Sequence, residues 1–251
     1  KIYIMATNGG PDTITDGLVG QIDGGAINNY QFGTPATRTG YLQAGLSGEE
    51  FYVETDVLLP HASGSPYNFE FGSDRNTRIQ ISGADGSLAS TTGPFNLPGY
   101  DGYTIEVVFK RTGYGTWATS GGTNYDGIWN YYWNHNLYFS GNHTGQNYIQ
   151  GTGLSAYTIE MDKYYNVVMT HDNSDGAHKV YINGNLQQSS TQSDPTLSSG
   201  NIRRFYVGNW DGSWSCVGCI PIIRVYSKAL SAEEVTQNFN ATKVRFSLWI
   251  I

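Results

Sequence analysis

The sequence predicts an all-β protein, an antiparallel β-sandwich closed near its C-terminal end by one short helix. Three observations carry this reading. First, charged residues make up only 14% of the chain, while Gly reaches 32 and Tyr 19; an average soluble domain is about 25% charged. Many turn formers beside many residues that suit a half-buried pleated surface make a β composition. Second, short apolar or alternating runs recur between turns, with no helical period separating them. Third, a single segment carries a full set of helix-start signals. Aromatic residues at 14% with low charge exclude a disordered chain, and 251 residues can build one sandwich with a sizeable core.

The strands follow in order. Gly17–Ile22 and Glu50–Leu59 are short apolar pieces in a Gly- and Thr-rich opening with weak periodicity. In Tyr103–Lys110 (YTIEVVFK), Tyr103, Ile105, Val107 and Phe109 fall on one face. Ile128–Phe139 is dense in aromatics without Pro or Gly, and fits two strands or one long bent strand. Tyr164–Thr170 runs into the turn-rich Asp172–Gly176. His178–Ile182 and Asn185–Gln188 flank Asn183-Gly184, a pair that tolerates the positive φ of a type I′ hairpin turn. Arg204–Val207 and Ile222–Tyr226 complete the series. One domain over 1–251 is expected, with 1–100 its least patterned part.

The helix is expected over 231–240. Ser231 is the N-cap and Glu234 stands at N3, which makes a capping box. Leu230 and Val235 supply the hydrophobic staple, and Glu233 and Glu234 suit the positive end of the helix dipole. A helix this short is marginal alone, so it docks through Val235 and Phe239.

A net charge of −7 with only 14 Lys+Arg gives no electrostatic footprint for nucleic acid or an anionic membrane. It suits a neutral partner or a cation. No apolar run approaches the roughly 18 residues of a membrane span. Cys216 and Cys219 form a C-x-x-C without a strand–helix redox context or a second ligand pair, so a structural role, a local disulfide and a metal site all stay open.

Three segments resemble the laminin G-like jelly rolls of the concanavalin A-like lectin/glucanase superfamily: YTIEVVFKRTG (Tyr103–Gly113), YYNVVMTHDNSDGAHKVYINGNLQQS (Tyr164–Ser189) and Phe205–Phe246 with its IPIIRVYSKALSAEEV. Asp16–Tyr30 (DGLVGQIDGGAINNY) and the ending NFNATKVRF are similar to the same domains in virion proteins of marine tailed phages. The resemblance implies two stacked antiparallel sheets and no obligatory enzyme activity. Relatives serve as lectin-like modules, adhesion domains and virion surface proteins, and some bind calcium through loop carboxylates.

Candidate sites are of three kinds. Catalysis by a retaining glycosidase needs two carboxylates about 5–5.5 Å apart. Glu160-Met161-Asp162 is the nearest match, but Lys163, Tyr164 and Tyr165 follow where the superfamily's glucanases carry a second Glu, and a solvated turn is the competing reading. No catalytic residue is assigned. The five histidines (His61, His135, His143, His171, His178) lack metal-ligand spacing, and His171 suits packing. Calcium is the second kind: Asp172, Asn173 and Asp175 offer hard oxygens, with Asp211, Asn209 and Asp126 in other turns. An Asx-rich turn also caps its own backbone without a metal. Third, Trp129, Tyr131 and Trp133 align on one face of a strand, and Trp210 and Trp214 flank Asp211. Such rings can stack on sugars, and they fill cores and interfaces equally well. The sequons at Asn142 and Asn240 carry no weight beside a phage-like resemblance.

The expected function is therefore non-enzymatic: a virion surface protein, such as a capsid decoration, fibre or spike. It would assemble with itself or other virion proteins and bind a host surface polysaccharide, with calcium optional and no cofactor required. The alternative is a carbohydrate-binding module of a secreted bacterial protein. The third reading is a glycan hydrolase or lyase.

Overall fold

The computed structural model describes residues 12–23, 40–43, 50–54, 69–71, 78–81, 101–112, 127–130, 137–141, 147–151, 157–191, 205–207 and 218–246. In chain order these form β1 (Leu18–Asp23), β2 (Gly40–Gln43), β3 (Glu50–Glu54), β4 (Phe69–Phe71), β5 (Arg78–Ile81), β6 (Gly102–Arg111), β7 (Gly127–Asn130), β8 (Leu137–Gly141), β9 (Asn147–Gly151), β10 (Tyr157–Thr158), β11 (Tyr164–Asp172), β12 (Ala177–Ile182), β13 (Asn185–Thr191), β14 (Phe205–Val207), β15 (Gly218–Tyr226) and α1 (Ala232–Thr242). Among the described residues they make two antiparallel sheets. A seven-stranded sheet runs β1-β15-β6-β11-β12-β13, with β4 also on β15; an eight-stranded sheet runs β10-β9-β8-β7-β14-β5-β3-β2. The expected all-β architecture with one C-terminal helix is what forms.

The seven-stranded sheet is buried on both faces at its centre. On one face lie Tyr103, Ile105, Val107 and Phe109 of β6, Val167 and Met169 of β11, and Ile223 and Val225 of β15, all buried. That apolar face is the kind a sandwich turns toward its second sheet. On the other face Val108, Val168, Ile222 and Tyr226 pack under Leu230, Val235, Phe239 and Phe246. Pro221 lies inside β15, where it cannot donate to a ladder. The β15–β6 register shifts between Cys219 and Ile222, so the strand bulges past it.

Two local signals set the geometry of the second face. Ile182 and Asn185 are direct partners, so the hairpin loop is the two residues Asn183 (φ 50) and Gly184 (φ 77), as the type I′ turn requires. A Cβ on Gly184 would stand 2.9 Å from the Phe239 ring, so helix and hairpin approach too closely for a side chain there. The capping box of α1 is complete: Glu234 N donates to Ser231 Oγ at 3.2 Å and Ser231 N to Glu234 Oε2 at 2.9 Å. Val235 and Phe239 are buried as expected, while the helix continues to Thr242, past the expected end at 240.

Between helix and sheet lies a polar cluster. Glu106 is fully buried and Arg224 Nη1 donates to its Oε1 at 2.9 Å. Asn166 Nδ2 donates to the same oxygen at 2.8 Å, and Asn238 Nδ2, from α1, to Oε2 at 2.9 Å. Arg224 Nε also donates to Gln21 of β1 at 3.1 Å. Burial opposes the charged guanidinium, but Glu106, Tyr226 and Asp23 outweigh it and raise its pKa. Burial, with Glu106 nearby, likewise pushes the Tyr226 hydroxyl up, so it stays protonated. Tyr226 Oη accepts from Asn238 at 2.8 Å and donates to the Ile14 carbonyl at 3.3 Å, while Ile14 N donates to Asn238 Oδ1 at 2.8 Å. The stretch before β1 is thus tied to α1.

Removing one partner of a buried pair strands the other charge, which typically costs about 3–5 kcal/mol. Arg224→Met should lower the unfolding free energy in urea by roughly that amount. Glu106→Gln combined with Arg224→Met should lose less than Arg224→Met alone, giving a favourable coupling in the double-mutant cycle.

Candidate functional site

Glu160-Met161-Asp162 forms a tight turn between β10 and β11. Asp162 has φ 61, and its N–H donates to the Arg111 carbonyl at 2.8 Å. The Glu160 side chain is 61% exposed and pairs with Lys163 at 2.7 Å. Its backbone N–H donates to Tyr165 Oη at 2.9 Å. The two residues therefore stand in a turn and not at i and i+2 of a strand, the placement by which the sequence pattern would have set both carboxylates on one face.

The Asp172–Gly176 turn closes on itself. Asp172 Oδ1 accepts from Ser174 N at 2.9 Å and Ser174 Oγ at 2.6 Å, and these bonds hold the Asp172 carboxyl below its ordinary range. Asp175 Oδ1 accepts from Ala177 N at 2.8 Å. Asn173 N donates to the Asp101 carbonyl at 2.8 Å, and Gly176 (φ 72) ends the turn. Each carboxylate serves an Asx-type turn. Among the described residues no group of three or more His, Cys, Asp or Glu side chains could hold a metal ion. Asp211, Asn209 and Asp126 lie outside the described residues.

The aromatic candidates divide. Tyr131, Trp133, Trp210 and Trp214 lie outside the described residues, as do His61, His135, His143 and Cys216; Cys219 is buried on β15 opposite Lys110. Trp129 lies on β7. Of the aligned set Trp129, Tyr131 and Trp133, only Trp129 falls within the described residues. Ile128 pairs with Leu137 of β8 in an antiparallel ladder, so Ile128–Phe139 holds two strands, the first of the two arrangements its sequence allows. What register adds is a row that sequence reading missed. Trp129 pairs with Tyr206 of β14, Tyr206 with Gln80 of β5, Gln80 with Tyr52 of β3, and Tyr52 with Tyr41 of β2. Directly paired residues share one face of a sheet. The flanking register, Ile128, Val207, Ile79 and Val53, is wholly apolar. The register on the other side reads Asn130, Phe205, Ile81, Phe51 and Leu42, so the pairing sets four aromatic positions and one amide in line across five strands. Tyr41 and Tyr52 stand in weakly patterned sequence, and only strand pairing brings them into line with Trp129, four and three strands away.

The family model for the concanavalin A-like lectin/glucanases superfamily, of laminin G type, matches residues 82–236. The chain belongs to this superfamily. No curated protein matches it. Among solved structures it is similar to the receptor binding domain of a botulinum neurotoxin C/D mosaic serotype, with TM-score 0.57 and 16% identity, covering 92% of this chain and 53% of that one. It is also similar to Trypanosoma rangeli sialidase in complex with sialic acid, with TM-score 0.59 and 15% identity over 90% of this chain and 33% of that one. The same sialidase as a covalent intermediate with 2,3-difluorosialic acid gives TM-score 0.62 and 15% identity over 93% and 34%. The chain spans about half the length of the toxin domain and a third of the sialidase, and these likenesses concern the fold.

An exposed i,i+3 ion pair contributes about 0–1 kcal/mol. Glu160→Gln should therefore leave the urea midpoint nearly unchanged, and should abolish no release of reducing ends from polysaccharide. Loss of such an activity in this variant would instead mark Glu160 as catalytic.

Proposed function

We propose that this chain is a non-enzymatic, lectin-like module of a virion surface, a capsid decoration, fibre or spike, that assembles with itself or other virion proteins and binds a host surface polysaccharide. The observation that carries the binding part is the row Trp129–Tyr206–Gln80–Tyr52–Tyr41 across one face of the eight-stranded sheet. Aromatic positions beside an amide are the chemistry that sugar rings and hydroxyls call for. The family supports a binding module, and so do neighbours described as a receptor binding domain and a sialidase bound to sialic acid. The low charge agrees with a neutral ligand.

The virion part rests on the two phage-like segments. Their described residues meet in space: Arg245 pairs with Asp23 at 2.6 Å, and β1 pairs with β15, the strand leading into α1. A carbohydrate-binding module of a secreted bacterial protein is the second reading, favoured by the same aromatic row.

A glycan array that includes bacterial surface polysaccharides should return one ligand class. Trp129→Ala and Tyr206→Ala should each weaken binding by roughly tenfold, the scale of one lost hot-spot ring, with calcium optional. Light scattering after gel filtration should give a symmetric oligomer or a complex with capsid or tail proteins. A monomer without affinity for virion proteins or polysaccharide overturns the proposal. Glycan binding by a strict monomer that ignores virion proteins selects the secreted module.

A further inference from the structure

Asn183 and Gly184 are the whole loop of the β12–β13 hairpin, and α1 rests on it. Ile182 pairs with Asn185, and the two loop residues have φ values of 50 and 77. Asn183 is fastened twice to Asn166 of β11. Its N–H donates to the Asn166 carbonyl at 2.8 Å, and its side-chain Oδ1 accepts from Asn166 N at 2.9 Å. Asn166 is fully buried and donates through Nδ2 to Glu106. On the helix side, a Cβ on Gly184 would stand 2.9 Å from the Phe239 ring.

The same two residues are a reactive pair. An asparagine amide is an electrophile, and the backbone nitrogen of the next residue can attack it. Glycine, with no side chain, leaves that nitrogen open to the approach. A bond forms between Gly184 N and Asn183 Cγ, the Cγ–Nδ2 bond breaks, and the backbone amide proton leaves with the nitrogen as ammonia. A five-membered cyclic imide remains. Water opens its Cγ–N bond to give aspartate, or the bond from nitrogen to the backbone carbonyl to give isoaspartate, whose main chain runs through Cβ and Cγ.

Closed, the hairpin withholds this reaction. The imide needs Cγ and the Gly184 nitrogen on the same side of the Asn183 Cα–C bond, and a type I′ turn twists them apart. The bond to Asn166 N also holds the side-chain amide toward β11. The loop joins the last two strands at this edge of the sheet, and the residues of β13 are exposed or half-buried throughout, the setting in which local opening occurs. The two products then differ. Aspartate keeps the backbone and an oxygen for Asn166 N. Isoaspartate adds a main-chain atom to a two-residue loop whose ends must meet as Ile182 and Asn185 beneath Phe239.

We propose that Asn183 is a self-modification site gated by the fold: it loses its amide only when the β12–β13 loop opens, and the isoaspartyl form no longer closes under α1. Positive φ at both positions and the close Phe239 ring call for Asn-Gly here, so the loop carries its own means of irreversible opening.

Peptide-resolved mass spectrometry tests this on the full chain, incubated at pH 7.5 in buffer and in concentrated urea. Conversion of the Asn183 amide to acid should run at least about tenfold slower in buffer, since only the open fraction reacts. Phe239→Leu loosens the contact on Gly184 and should speed conversion in buffer while leaving the rate in urea unchanged. Isoaspartyl chains, recovered from either medium and returned to buffer, should lose hydrogen-exchange protection over 181–186, whereas Asn183→Asp should retain it. Should Phe239→Leu fail to fold, the unsubstituted chain in the two media decides. Equal rates in buffer and urea, no conversion in urea, a folded Phe239→Leu chain that converts no faster in buffer, or isoaspartyl chains as well protected as the parent would each overturn the proposal.

Discussion

Glu106 lies in the middle of the seven-stranded sheet, on the face that α1 covers, and a carboxylate there must be met before the helix can dock. Arg224 from β15, Asn166 from β11 and Asn238 from α1 meet it. Desolvating such charges costs several kcal/mol per ion, and only a well-bonded cluster offsets this. The cluster is therefore better understood as a constraint on register than as a source of stability. A one-residue slip of β15 against β6 would send Arg224 to the opposite face and leave Glu106 alone. The same requirement fixes how α1 is turned, because Asn238 reaches Glu106 and Tyr226 with one amide nitrogen.

The rest of that face follows. With Asn238 directed at the cluster, Val235 and Phe239 fall on either side of it, over the apolar groups of β6, β11 and β15. Gly184 is needed because Phe239 presses on the type I′ turn. The stretch 12–18 crosses to α1 through Ile14, and Lys228 bridges Asp16 and Glu234 at 2.6 and 2.7 Å. Residues more than two hundred positions apart in the chain thus close one face together.

Legibility differed between fold and site for a physical reason. The strand over Tyr103–Lys110 was readable because its odd positions alternate, and the hairpin because Asn-Gly has few other uses between β runs. Glu106 was not readable as buried: in YTIEVVFK it stands with Thr104 and Lys110 on what looks like the solvated side of a half-exposed strand. Short strands such as β2, β4 and β9 carry too few residues for a period to show. The aromatic row escaped for a related reason. Trp129 was singled out with its sequence neighbours, but its neighbours in register, Tyr206, Gln80, Tyr52 and Tyr41, come from four other strands.

By itself, the sequence determined the all-β class, the hairpin turn and the capped helix with its buried Val235 and Phe239. Each depends on residues within a few positions of one another, where local sterics and capping bonds suffice. Tertiary structure decided which polar residues are buried, which strands are partners and where the aromatic positions line up. Those outcomes depend on pairing across long separations, whose energy comes from burial and register rather than from any local propensity. The C-terminal helix shows both halves at once: its start at Ser231 is written in six residues, and its seat is set by a glutamate more than a hundred positions earlier.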